Sequence, residues 1–134
     1  LSTHTFTTWQ GLAFERVCMA HVPQIKKKLK IDGIYTEYYS GRCTKPSEKA
    51  QIDLIIERAD KIINICEIKF SDNYYSMSKA DYDKLQRRIE LFRNDTNCRL
   101  GIMQTLITTL PTPNSKYNNA IPNIVTMDDL FENT

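Results

Sequence analysis

The chain has 134 residues, 41% of them hydrophobic and 25% charged, and 18 Lys and Arg against 16 Asp and Glu give a net charge of +2. That length is one domain around one hydrophobic core, and the composition is that of an ordinary globular protein. No apolar run approaches the roughly 18 residues of a membrane span and no signal-peptide pattern opens the chain, while the weak net charge permits a polyanionic partner without calling for one.

In chain order, the first predicted element is a helix from about Thr8 to Leu29. Leu12, Phe14, Val17, Cys18, His21, Val22, Ile25 and Leu29 recur there at helical spacing, behind a capping Thr7 or Thr8. Pro23 predicts a kink, or two shorter helices with Pro23 in the first turn of the second. Ile34 to Ser40, rich in β-branched and aromatic residues, reads as a strand. A polar loop from Gly41 to Lys49, containing Pro46, separates it from two strands at about Ala50–Glu57 and Ile62–Phe70. Their connection is so short that they must form an antiparallel hairpin.

Ser78 and Asp81 fit a capping box for a helix to about Phe92, whose apolar stripe is Tyr82, Leu85, Ile89 and Phe92. Leu100 to Thr109 reads as a strand buried on both faces. A proline- and asparagine-rich loop from Pro111 to about Pro122 leads to a short strand at Asn123–Val125 and a final turn capped by Thr126 and Asp129. The order helix, strand, strand, strand, helix, strand makes a single α/β domain over residues 1–134, with a central mixed sheet flanked by helices.

Cys18, Cys43, Cys66 and Cys98 are scattered without a CxxC pair, and His4 and His21 are the only histidines. A structural zinc site is therefore not expected, and the thiols read as those of a reduced, cytoplasmic protein. Neither histidine has an evident relation to a cysteine, so no thiol nucleophile is expected.

The hairpin strands carry charges where a core strand should be apolar: Asp53 in "QIDLII", and Glu67 and Lys69 in "ICEIKF". By alternation Asp53 shares a face with Ile55, and Glu67 shares one with Ile65 and Lys69. One hairpin register sets Asp53 beside Glu67 with Lys69 one step along; a slip of one sends the aspartate to the other face. Two adjacent carboxylates raise each other's pKa unless a cation lies between them, and a hydrated Mg²⁺ (or Mn²⁺) suits such a pair. That ion lowers the pKa of a bound water and stabilises charge on a phosphate, and a nearby lysine adds a compact positive charge. The plain alternative is a solvated hairpin face with cross-strand ion pairs.

The sequence here resembles the PD-(D/E)xK nuclease superfamily, whose core runs αβββαβ with an acid on the second strand and (D/E)xK on the third. Asp53 matches the first acid and Glu67-Ile68-Lys69 the second motif. The resemblance implies Asp53, Glu67 and the carbonyl of Ile68 as Mg²⁺ ligands, Lys69 as the lysine that assists the attacking water, and Glu15 from the first helix as an auxiliary acid. The proline that often precedes the first acid is replaced by Ile52. "GLAFE", "QIDLII", "ICEIKFS" and "TMDDLF" together resemble the nuclease-like domain at the C-terminus of certain bacterial and archaeal AAA-type ATPases. The chain, which opens on Leu1 and has no GxxxxGK[ST] loop, is then expected to be the C-terminal part of a longer ATPase-containing protein.

The resemblance implies a DNA endonuclease that allows a homodimer. The other readings are a non-cleaving DNA- or protein-binding regulatory domain of the ATPase, and an interaction or oligomerisation domain. Glu15 also favours the helix macrodipole simply by its place. The lysines from Lys26 to Lys30, and Arg87, Arg88 and Arg93, are either phosphate contacts or solvated surface. Gln104 points at the same site or is buried and bonded to backbone. His21 is a satisfied boundary histidine, Trp9 an anchor of the first helix, and the tyrosine pairs at 38–39 and 74–75 are base-stacking groups or core-edge packing.

Overall fold

Isoleucine-rich segments bounded by turn residues form the centre of the molecule. The computed structural model describes residues 3–42 and 51–132, so Cys43 and the loop around Pro46 lie outside the described residues. The elements are α1 (Thr3–Ala20), α2 (Val22–Lys28), β1 (Thr36–Arg42), β2 (Gln51–Arg58), β3 (Ile62–Lys69), α3 (Lys79–Thr96), β4 (Gly101–Thr108), α4 (Lys116–Asn119), β5 (Asn123–Thr126) and α5 (Met127–Leu130). The strands lie in the order β1-β2-β3-β4-β5, with β1 to β3 antiparallel and β3 to β5 parallel. The protein is an α/β fold with a five-stranded mixed sheet and helices on both faces.

Both faces of the central strands are covered, which is why they read as almost unbroken apolar runs. In β3 the alternation sends Cys66 and Ile68 to a core with Phe14, Cys18, Ile25 and Leu130, while Ile63 and Ile65 pack with Leu85, Ile89 and Met77. The first core carries α1, α2 and α5; the second carries α3. No helix among the described residues is long and apolar enough to cross a membrane.

The predicted break near Pro23 occurs at His21, with the proline in the first turn of α2. The His21 Nδ1–H donates to the Val17 carbonyl at 2.7 Å, and its ring packs edge-on against Phe131 at 5.0 Å. Lys28 pairs with Asp129 at 3.5 Å, tying α2 to α5. α1 starts at Thr3, five residues before the expected Thr8. Trp9 and Leu12 are exposed. Phe14 and Cys18 define the buried stripe, and at about 100° per residue Trp9 falls ~140° and Leu12 ~160° away from Phe14.

Ser78 caps α3 by accepting from the Asp81 N–H at 3.1 Å. The return half of the expected box is not made, because the Asp81 carboxylate accepts from the Tyr75 hydroxyl instead. α3 runs one turn beyond Phe92 and stops where Asn97 turns left-handed, with φ 50°. β4 is buried on both faces only from Thr105 to Thr108.

The proline-rich loop hides the short helix α4, set off by Ser115 and missed by periodicity because it has a single turn. Its Asn118 is buried and serves three backbone groups: it accepts from the Met77 N–H at 2.9 Å and donates to the Tyr75 and Pro113 carbonyls at 3.0 Å each. Asn118→Ala leaves those groups unsatisfied and is expected to cost about 2–4 kcal/mol. A urea titration checks this, with a lower midpoint at unchanged slope; an unchanged midpoint contradicts the anchoring role.

Candidate active site

The sequence places Asp53 where β2 leaves its neighbour. The β2–β3 ladder runs from Glu57 opposite Ile63 to Leu54 opposite Cys66 and ends there. One further step in that register would face Asp53 with Glu67, the register that brings the two acids together. β2 continues on its other side, with Ile52 opposite Gly41 and Gln51 opposite Arg42. β2 and β3 therefore part at Asp53, and its Oδ2 accepts the Ile68 N–H across the gap at 2.9 Å.

The expectation that Asp53 shares a face with Ile55 is corrected by a register shift. Between the pairs Tyr39–Ile55 and Gly41–Ile52, β2 advances three residues against two on β1. Ile52 and Ile55 consequently both join the α3-side core, and Leu54 the α1-side core. The electrostatic neighbours of Asp53 include Glu15 and Cys18 of α1. Gly41 is needed at the shift, since a Cβ there would run into the buried Ile55 side chain.

Glu67 is 6% exposed. The Arg88 Nη1 of α3 donates to both of its oxygens, at 3.1 and 2.9 Å, and the Lys69 Nζ lies 3.4 Å from Oε1. Asp53 has no such compensation. Burial, then the charge of Glu67 and more weakly that of Glu15, outweigh the Ile68 N–H and the more distant Arg88, and push its carboxyl up to about 6. Glu15, half-buried, is raised by burial and then by the charge of Glu67. The four candidate side chains Glu15, Asp53, Glu67 and Lys69 thus belong to one electrostatic cluster at the β2–β3 fork, with the Ile68 peptide between them.

Other candidates lie elsewhere. Gln104 is paired side chain to side chain with Gln86 at 2.9 and 3.1 Å, beside Ile65 rather than Glu67. Arg87 pairs with Glu90, and Arg93 caps the Cys98 and Leu100 carbonyls. Lys27, Lys28 and Lys30 line a groove with Asp129 and Glu132. Tyr38, Tyr39 and Tyr74 are exposed.

The role of Arg88 is not evident from the sequence, where it reads as one of three arginines on a polar face. Its signal is adjacency: it follows Leu85 by three residues and precedes Ile89 by one, at the rim of the buried stripe. Beside it, a polar cavity between β3 and α3 is lined by Glu67, Lys69, Tyr75, Asp81, Lys84 and Arg88. Burial and the neighbouring Asp81 push the Tyr75 phenol up, so it stays a protonated donor.

As the side chains stand, no group of three or more His, Cys, Asp or Glu among the described residues is arranged to hold a metal ion. A hydrated Mg²⁺ needs less, one or two carboxylates with waters and phosphate oxygens completing the shell. Asp53 with Glu67 fits that donor set, provided that Glu67 exchanges its arginine partner for the ion.

No family model and no curated protein sequence matches the chain. Its fold is similar to the crystal structure of a protein of unknown function, AF1548, with a TM-score of 0.52 at 14% sequence identity over 87% of this chain. The chain spans 64% of the length of that protein. At that identity the likeness establishes a shared α/β fold and nothing of its chemistry.

Proposed function

We propose that this chain is a Mg²⁺- or Mn²⁺-dependent endonuclease domain that hydrolyses DNA phosphodiester bonds. The observation that carries the reading is the strand fork, where the β2–β3 ladder ends at Leu54 and Asp53 accepts the Ile68 N–H beside Glu67, its carboxyl pushed up by burial and then by the charge of Glu67. A site that takes a cation has this electrostatic signature, because the ion relieves the repulsion between carboxylates held close together.

In this reading Asp53, Glu67 and the Ile68 carbonyl hold the ion, which supplies a low-pKa water and charge neutralisation at the phosphate. Lys69 orients the attacking water and stabilises charge developing on the phosphate oxygens. Glu15 orients water from the α1 side. The attached AAA-type ATPase and any homodimer rest on the sequence resemblance, and the cytoplasmic location rests on the scattered, unpaired spacing of the cysteines in the sequence.

A second reading, a non-cleaving DNA- or protein-binding regulatory domain, draws support from the Arg88–Glu67 pair, which already neutralises one of the two acids. Incubating the chain with supercoiled and branched DNA in Mg²⁺ or Mn²⁺ separates the two. Metal-dependent nicking is expected, reduced on the order of 10²–10³-fold by Asp53→Ala and by Lys69→Ala. Nicking that survives both substitutions removes the site, and salt-sensitive DNA retention without nicking selects the second reading.

A further inference from the structure

Arg88 is held by one end only. Its Nη1 straddles both oxygens of Glu67, while among the described residues Nε and Nη2 have no hydrogen-bond partner. Those two nitrogens form the edge of a guanidinium that matches two oxygens of one anion. The side chain is 32% exposed and borders the cavity between β3 and α3. Lys69, 36% exposed, and Lys84, on the same face of α3 one turn before Arg88, border it too. Three cations thus face two acids, Glu67 and Asp81, and Asp81 is engaged by the Tyr75 hydroxyl at 3.2 Å.

Resting on the nuclease reading, we infer that this cavity is a subsite for a backbone phosphodiester of the nucleic acid, with Arg88 and Lys84 as its anion donors and Lys69 shared with the carboxylate cluster. Were Glu67 to bind a divalent ion, Arg88 would lose its carboxylate partner and its guanidinium would be free to turn to the phosphate. Cation loading at the acids and phosphate binding beside them are then coupled through one side chain. A phosphodiester is favoured over a free anion because the cavity is partly open to solvent and Lys69 on its rim also belongs to the carboxylate cluster, so a phosphate seated there lies beside the acids.

The test is binding, read apart from cleavage. A fluorescein-labelled DNA duplex is titrated with the full chain and followed by anisotropy at several salt concentrations, in Ca²⁺ and in EDTA. Lys84→Gln, at an exposed position, is expected to weaken binding about fivefold and to lower the salt slope by about one. Arg88→Gln is expected to weaken it at least ~10-fold in Ca²⁺ and less in EDTA, where the wild-type arginine is still engaged by Glu67. Thermal melts of both variants accompany the titrations, and Lys84→Gln remains informative should Arg88→Gln unfold.

Wild-type affinity and slope in folded Lys84→Gln overturn the subsite, as does a wild-type chain that does not bind DNA. An Arg88→Gln effect equal in Ca²⁺ and EDTA overturns the exchange. Inorganic phosphate is the second probe and is expected to compete only weakly. Tight phosphate binding that both variants lose while DNA binding persists assigns the cavity to a free anion and overturns the nucleic-acid reading. Failure of the nuclease reading is seen separately, as absence of nicking with the Lys84 and Arg88 dependence of binding intact.

Discussion

Asp53→Asn is expected to stabilise the chain at pH 7.5 while removing the metal-dependent cleavage proposed for it. The folded-state pKa of Asp53 is raised from 3.8 to about 6. A raised acid contributes stability that is full below the unfolded value and is lost as pH rises through the folded one. Above about pH 7 the ionised carboxylate therefore weighs on the folded state, by on the order of 1–3 kcal/mol for a shift of this size. Asparagine keeps a carbonyl oxygen for the Ile68 N–H and carries no charge. The variant should melt roughly 5–10 °C higher at pH 7.5, with the difference disappearing below about pH 4. A loss of stability at pH 7.5 would mean that the charge is compensated in the folded chain, and the case for a cation site would lose its footing.

Arg88→Met is expected to have the opposite sign. Removing one partner of a buried ion pair leaves the other buried and uncompensated, which typically costs about 3–5 kcal/mol. Arg88 is partly exposed and Lys69 stays 3.4 Å from Glu67, so a loss of about 2–4 kcal/mol is the scale here. Adding Glu67→Gln should restore much of it, giving a double-mutant coupling of at least ~1.5 kcal/mol by urea unfolding. If Arg88→Met alone is neutral, Glu67 does not depend on the arginine. The two substitutions probe one cluster from opposite directions: at the fork one acid is overcompensated and its neighbour undercompensated.

What the sequence carried was the local part. Strands buried on both faces announce themselves as isoleucine runs, and the four-residue link after Glu57 fixes the β2–β3 hairpin; both are found. The residues at the fork were legible for a related reason, since an aspartate, a glutamate and a lysine inside such runs are anomalies. The rest depends on relations that no window of sequence contains. The register shift opposite Gly41 changes the face of Ile52 without disturbing the apolar pattern. Arg88 reaches Glu67 from 21 residues away, across a crossover whose geometry is set by parallel pairing of β3 with β4. Asn118 is one polar residue among many in a loop until its three backbone partners are seen. Leu12 shows the converse: it recurs at helical spacing with the core residues yet is exposed, as many apolar surface residues are.

The contacts between α2 and α5 bear on how the molecule is made. Phe131 lies on His21, Asp129 on Lys28, and Leu130 is sealed in the same core as Phe14 and Cys18. A ribosome delivers α1 and α2 first and this closing turn more than a hundred residues later. The β2–β3 hairpin and the α3 crossover rest on nearer contacts and can form as they emerge. The layer bearing Glu15 packs on the central strands, and the last turn closes the core beside it. Part of the core under α1 is therefore sealed by residues made after every strand of the sheet.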